Sequence, residues 1–140
     1  MLIFIARLVA FLPLSVLQAL GRMLGRLVYA MPGKYRRHLR ANAAQAGYTD
    51  PAFLRRAAAE VGAMILETPR IWFRNDDCMK RVVSDDEHIA LDALAEGRGV
   101  LFLTPHLGSF EITAWHGRLK HASPEKPGLV MYRIPRKAIL

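Results

Sequence analysis

From Leu8 to Gly21 the chain runs for 14 residues without a charged side chain, between Arg7 and Arg22. An apolar run of that length is not left in water, because covering it gains about 25 cal/mol per Å² of apolar surface. The cover is either the protein's own core or lipid. The run is shorter than the roughly 20 residues a helix needs to cross a bilayer. Met1 to Gly21 reaches that length only by including Arg7, whose charged head would have to stretch back toward water. No small-x-small cleavage site follows, which disfavours a removed leader. Residues 1–31 therefore read as a retained membrane anchor or interfacial helix, with a buried helix of a soluble core as the other reading.

The placement of charge supports lipid over nucleic acid. The net charge is +8. Ahead of Asp50 stand Arg7, Arg22, Arg26, Lys34, Arg36, Arg37 and Arg40, with no acidic residue among them. From Asp50 onward basic and acidic residues nearly balance. A nucleic-acid binder carries its positive charge across the domain that grips the backbone. A basic stretch directly after an apolar helix suits an anionic membrane surface. The single cysteine, Cys78, excludes an intramolecular disulfide. No Cys/His spacing matches a zinc site, so neither a metal nor a cofactor is expected.

Pro32-Gly33 breaks the first helix. Lys34 to Ala46 reads as a second, basic helix with Tyr35, Leu39 and Ala43 on one side, stopped by Gly47. Asp50-Pro51 reads as an N-cap followed by proline at the first helical position. Phe53, Leu54, Ala57, Ala58, Val61, Met64 and Ile65 follow at helical spacing, and Pro69 should end or kink that helix. Ile71, Trp72 and Phe73 read as core packing against the sheet, with a share in an acyl-chain groove as the other reading. Ser84-Asp85-Asp86-Glu87 has the spacing of a capping box, opening a helix that Gly97 closes.

Val100 to Leu103 reads as a short buried strand. Leu107 to Lys120 reads as a helix, and Leu129 to Tyr132 as a second strand. Strand, helix, strand over this length predicts a βαβ unit with parallel strands. The expected fold class is therefore α/β: an N-terminal membrane-associated helix and a helical region leading into a βαβ unit. Residues 1–31 would be the anchor and 32–140 the N-terminal part of a catalytic domain. Two strands do not complete a sheet, so the chain reads as a piece of a longer protein.

Chemistry is expected where that first strand ends. His106 follows Thr104-Pro105, and Glu111 lies five positions on. Five positions on a regular helix are about 140° apart around the axis. The two can meet only if His106 sits in the turn and Glu111 in the first turns of the helix, with Pro105 and Gly108 bending the backbone between them. Glu111 would then fix the imidazole tautomer and leave the other ring nitrogen as a general base. Ser109 lacks the G-x-S-x-G setting of a nucleophile.

The run Glu96 to Glu111 resembles the first motif of the bacterial lipid A (lauroyl/myristoyl, HtrB-like) acyltransferases, a His, four residues, then Asp or Glu. Leu20-Gly-Arg-Met-Leu-Gly-Arg-Leu is similar to that family's N-terminal helix. Arg40-Ala-Asn42 is similar to its basic stretch, and Val130-Met-Tyr-Arg133 to its Tyr-Arg motif. Ser109-Phe110 departs from the Asn-Trp often found before the acid. Ile134-Pro-Arg-Lys departs from the Asn-Pro that tends to follow the arginine.

The resemblance implies a glycerolipid-acyltransferase-like sheet, a retained N-terminal half, and a reaction. An acyl chain would pass from acyl carrier protein to a hydroxyl of a lipid A precursor, at the cytoplasmic face of the bacterial inner membrane. It implies His106 as base, Glu111 as its partner, Arg133 on phosphate or oxyanion, and Gly108 and Ser109 lining the substrate site. Lys34 to Arg40 would touch lipid phosphates or the acidic carrier. Two other readings stand beside it. One is an acyltransferase acting on a glycerophospholipid or a phosphoinositide mannoside. The other is a non-catalytic, membrane-bound fragment of a truncated gene.

Overall fold

Asp50 starts the longest helix as its sequence context predicts. Its carboxylate accepts from the backbone N–H groups of Ala52 and Phe53, at 2.9 and 3.0 Å. Pro51 fills the first helical position, where an N–H would lack a partner in any case. The structure, a computed structural model, describes residues 2–105, 107–124 and 127–131. The chain divides into two compact units, Met1–Arg74 and Asn75–Leu140.

The first unit holds α1 (Leu2–Val9), α2 (Leu14–Ala30), α3 (Lys34–Gln45) and α4 (Pro51–Phe73). The expected single helix over residues 1–31 is broken. Proline restricts the residue before it to extended backbone, and Pro13 stands at the start of α2. The two pieces are bent by 120°. Arg70, buried on α4, reaches into the bend and donates from Nη1 to the carbonyl oxygens of Ala10 and Leu12, at 3.1 and 2.6 Å. These are carbonyls that a helix end leaves without an intrahelical partner. Nearby, Gln18 Nε2 donates to the buried Glu67 at 2.9 Å. Burial of Glu67, Arg70 and Ile71 holds the last turns of α4 in place, so the helix continues past Pro69 where a stop or kink was expected.

The main packing seam is α2 against α4. Leu17, Gly21, Gly25 and Tyr29 recur every four residues along α2, and all are buried. They face Leu54, Ala58, Ala59, Gly62 and Ala63 of α4. A Cβ placed on Gly25 would lie 2.1 Å from the carbonyl oxygen of Ala58. One placed on Gly62 would lie 2.1 Å from that of Gly21. The two backbones meet in a way only glycine permits, as in the small-xxx-small contacts of closely packed helices. Tyr35, Leu39 and Ala43 of α3 pack on the cluster of Tyr29, Leu54 and Ala58, as their spacing predicted. Gly47 ends that hairpin of helices with φ of +85°.

The opposite side of α2 has no cover within the unit. Val16, Leu20, Met23, Leu27 and Met31 form an exposed apolar stripe at three- and four-residue spacing. Phe4, Leu8 and Phe11, on and just after α1, are also exposed. Among the described residues, no single helix is long and apolar enough to cross a membrane. The bent pair Ile3–Val9 and Leu14–Ala30 passes together, by length and composition.

The second unit holds α5 (Asn75–Met79), α6 (Glu87–Ala95) and α7 (Glu111–His121). Here the expected α/β class is overturned, because the described residues are all helix and connecting segment, without a strand. An extended segment becomes a strand only when another takes up its backbone N–H and C=O groups. Val100 to Leu103 finds no such neighbour among the described residues, and Leu101 and Leu103 are 80% and 87% exposed. Leu129 to Met131 likewise stands open, and Tyr132 lies outside the described residues. Among the described residues, the βαβ unit and its glycerolipid-acyltransferase-like sheet are therefore not formed. The capping box is not formed either. Asp86, not Ser84, precedes the first turn of α6, and it makes no side-chain cap bond.

Candidate functional site

The segment between α6 and α7 is shaped by two tight turns. Leu107 N–H donates to the Pro105 carbonyl at 2.8 Å, and Phe110 N–H to the Gly108 carbonyl at 2.9 Å. Gly108 has φ of +57°, a conformation that costs other residues strain. Thr113 Oγ1 donates to the Phe110 carbonyl at 2.6 Å, closing the first turn of α7. The helix starts at Glu111 rather than at Leu107. Glu111 is half-buried at its first position, where the helix dipole favours a negative charge. Gly108, Ser109 and Glu111 are thus gathered in one turn at the start of α7, with Ser109 half-buried beside them. His106 and Arg133 lie outside the described residues. The arrangement can present a carboxylate at a fixed point on a rigid element, beside a backbone bend without side-chain bulk at Gly108.

A second cluster in the same unit has no sequence signature. Glu87, at the start of α6, meets His116 and His121 of α7, with one ligand-type atom from each all within 4.8 Å. Glu87 lies far upstream, and the two histidines are five positions apart, a spacing that seldom shares one helix face. Glu and His are ordinary ligands for a divalent cation. Here Lys120 Nζ sits 3.7 Å from Glu87, slightly nearer than His116 Nε2 at 3.9 Å, so a positive charge is already supplied. The His121 ring also stacks on Phe102, with centroids 5.8 Å apart. The cluster reads as an ion-pair and ring contact joining α6, α7 and the 100–105 segment.

The first unit carries a cavity of about 670 Å³ where α2 ends and α3 and α4 begin. Arg26 and Tyr29 of α2, Arg36 of α3, and Ala52, Arg55 and Arg56 of α4 line it. Of the basic flank Lys34 to Arg40, only Arg36 belongs to this lining. The other three arginines come from elsewhere in the sequence, so no linear motif announces the site.

The family described as bacterial lipid A biosynthesis acyltransferase matches residues 1–123 of the chain. No curated protein and no solved structure matches it.

Proposed function

Because the chain belongs to the bacterial lipid A biosynthesis acyltransferases, we propose that it moves a fatty acyl chain from acyl carrier protein to a hydroxyl of a lipid A precursor. The family match is the observation that carries this reading. In the proposed step, His106 takes the proton of the acceptor hydroxyl while its oxygen attacks the thioester carbonyl. The tetrahedral intermediate collapses by breaking the carbon–sulfur bond, and the proton passes from His106 to the departing thiolate. Glu111 holds the imidazole tautomer and balances the charge it gains. Arg133 binds phosphate or the oxyanion, and Gly108 and Ser109 line the substrate site. The start of α7 at Glu111 and the bend at Gly108 support a fixed carboxylate beside that step.

The reading places the protein at the cytoplasmic face of the inner membrane, and the exposed apolar faces of α1 and α2 support attachment to lipid. An amphipathic helix buries such a face among headgroups and upper acyl chains.

The test is acyl transfer by the purified protein, with acyl carrier protein as donor and a lipid A precursor as acceptor. General base catalysis contributes about 10²–10⁴-fold. His106→Ala should lose activity on that scale, and Glu111→Gln should lose less. Near wild-type transfer by His106→Ala would remove His106 from the mechanism.

A further inference from the structure

Four arginines from three helices open onto one concavity, and the nearest acids are committed elsewhere. Asp50 spends its carboxylate on the N–H groups of Ala52 and Phe53. Glu60 is held by Arg22 Nε at 2.9 Å. Among the described residues, Arg26, Arg55 and Arg56 make no ion pair within 4.0 Å, although the Asp50 carboxylate feels Arg55 and Arg56 and the Glu60 carboxylate feels Arg26 across a longer gap. Arg36 lies with its guanidinium 5.5 Å from the centre of the Tyr29 ring. Tyr29 is itself buried in the seam, so this wall is fixed. A guanidinium offers a planar fork that pairs two N–H groups with two phosphate oxygens. Four of them around one cavity suit a phosphomonoester better than a single carboxylate. A volume of about 670 Å³ holds more than a bare phosphate and falls in the range of small-ligand pockets.

The surroundings say where the rest of the ligand goes. Leu27, Val28 and Met31 are exposed on the same turns of α2 that supply Arg26 and Tyr29 to the cavity. Leu27 and Met31 lie about 100° and 140° around α2 from Arg26, so the apolar stripe ends on the face next to the cavity. A molecule with a phosphate at one end and acyl chains at the other has both parts satisfied there.

We propose that Arg26, Arg36, Arg55 and Arg56 form a binding site for the phosphate of a membrane lipid headgroup, with its acyl chains along the exposed side of α2. This rests on the membrane-surface part of the function proposed above and is independent of the acyl-transfer chemistry. Arg37 and Arg40, on the same helix as Arg36, lie outside the lining, so the phosphate is bound by the groove and not by the basic flank as a whole.

Vesicle flotation tests it. Phosphatidylcholine vesicles with and without phosphatidic acid are mixed with the wild-type protein, Arg26→Gln/Arg55→Gln, and Arg37→Gln/Arg40→Gln. Phosphatidic acid should strengthen wild-type binding about tenfold. The groove variant should lose that gain and keep its binding to neutral vesicles. The flank variant, with the same charge removed, should keep most of the gain. Ala52→Glu provides a second groove variant. A glutamate in the first turn of α4 favours the helix while placing a carboxylate against the arginines, and it should abolish the gain in the same way.

Equal losses in the two double variants would mean diffuse charge attraction and overturn the site. So would a phosphatidic acid gain that is absent from the start. Glycerol 3-phosphate, titrated without vesicles, separates the sources. Groove-dependent binding of it without any vesicle gain would make the ligand a soluble phosphate and overturn the lipid. Groove-dependent capture of acyl carrier protein without a vesicle gain would make the site a protein contact and overturn it too. Failure of acyl transfer alone would leave the vesicle result standing.

Discussion

Replacing Gly25 with alanine sets two effects of opposite sign against each other. In an exposed helix interior the change would stabilise, since alanine is favoured over glycine by about 1 kcal/mol. In this seam the new Cβ would lie 2.1 Å from the Ala58 carbonyl oxygen, where ordinary contact begins near 3.4 Å. The obstacle is backbone, which cannot rotate away as a side chain can. Relief requires α2 and α4 to part by about 1 Å, and a gap of that order forfeits up to half of each dispersion contact across it. Overpacking of this kind costs about 1–3 kcal/mol, and the backbone obstacle puts it at the upper end. Less the propensity gain, the net loss should be about 2 kcal/mol, or about 10 °C in Tm for a unit of this size. Urea unfolding followed by Trp72 emission measures it, in a Trp115→Phe background that leaves Trp72 as the sole tryptophan. A Gly25→Ala variant as stable as its parent, or more stable, would refute the close contact between the two backbones.

Arg70→Met should cost about 2–4 kcal/mol, because the carbonyls of Ala10 and Leu12 lose a charged donor inside the unit. Hydrogen exchange should show α1 amides opening faster while those at the α2–α4 seam keep their protection. The backbone N–H groups of Ala52 and Phe53 hold the Asp50 carboxyl below its ordinary pKa. The stability this brings is present above about pH 4 and is lost as pH falls through the lowered value. Asp50→Asn keeps a cap that does not titrate, so the melting temperature of the first unit, followed by circular dichroism, should depend less on pH in that acidic range than in the wild type.

Local punctuation was legible in the sequence. The break at Pro32-Gly33, the cap at Asp50, the stop at Gly47 and the inner face of α3 each depend on a few neighbouring residues, and each is found. The failures involve partners distant in sequence. Val100 to Leu103 has the composition of a strand, but composition cannot supply the second segment that would accept its hydrogen bonds. Ser84 and Glu87 have the spacing of a capping box, yet Glu87 turns instead to His116 and Lys120 of α7. Pro69 has the chemistry of a helix stop and is overridden by burial around Arg70. The glycines at 21 and 25 belong to the family likeness, and their four-residue spacing also marks the side of α2 that meets α4. Of the proposed site, the bend at Gly108 is found, but the helix begins at Glu111 instead of Leu107, and His106 and Arg133 lie outside the described residues. The arginine cavity draws on three helices and became legible only once they were folded together.

The corner between α1 and α2 has a mechanical consequence. One helix lying on a bilayer is free to roll about its long axis, and a protein tethered by it can present many faces to the lipid. Two helices set at an angle cannot roll together. They define a plane, as two legs of a trestle do, and Arg70 braces the joint from within the protein. On the membrane surface proposed here, the first unit would hold one heading toward the lipid, and the arginine cavity at the far end of α2 would stay at one depth.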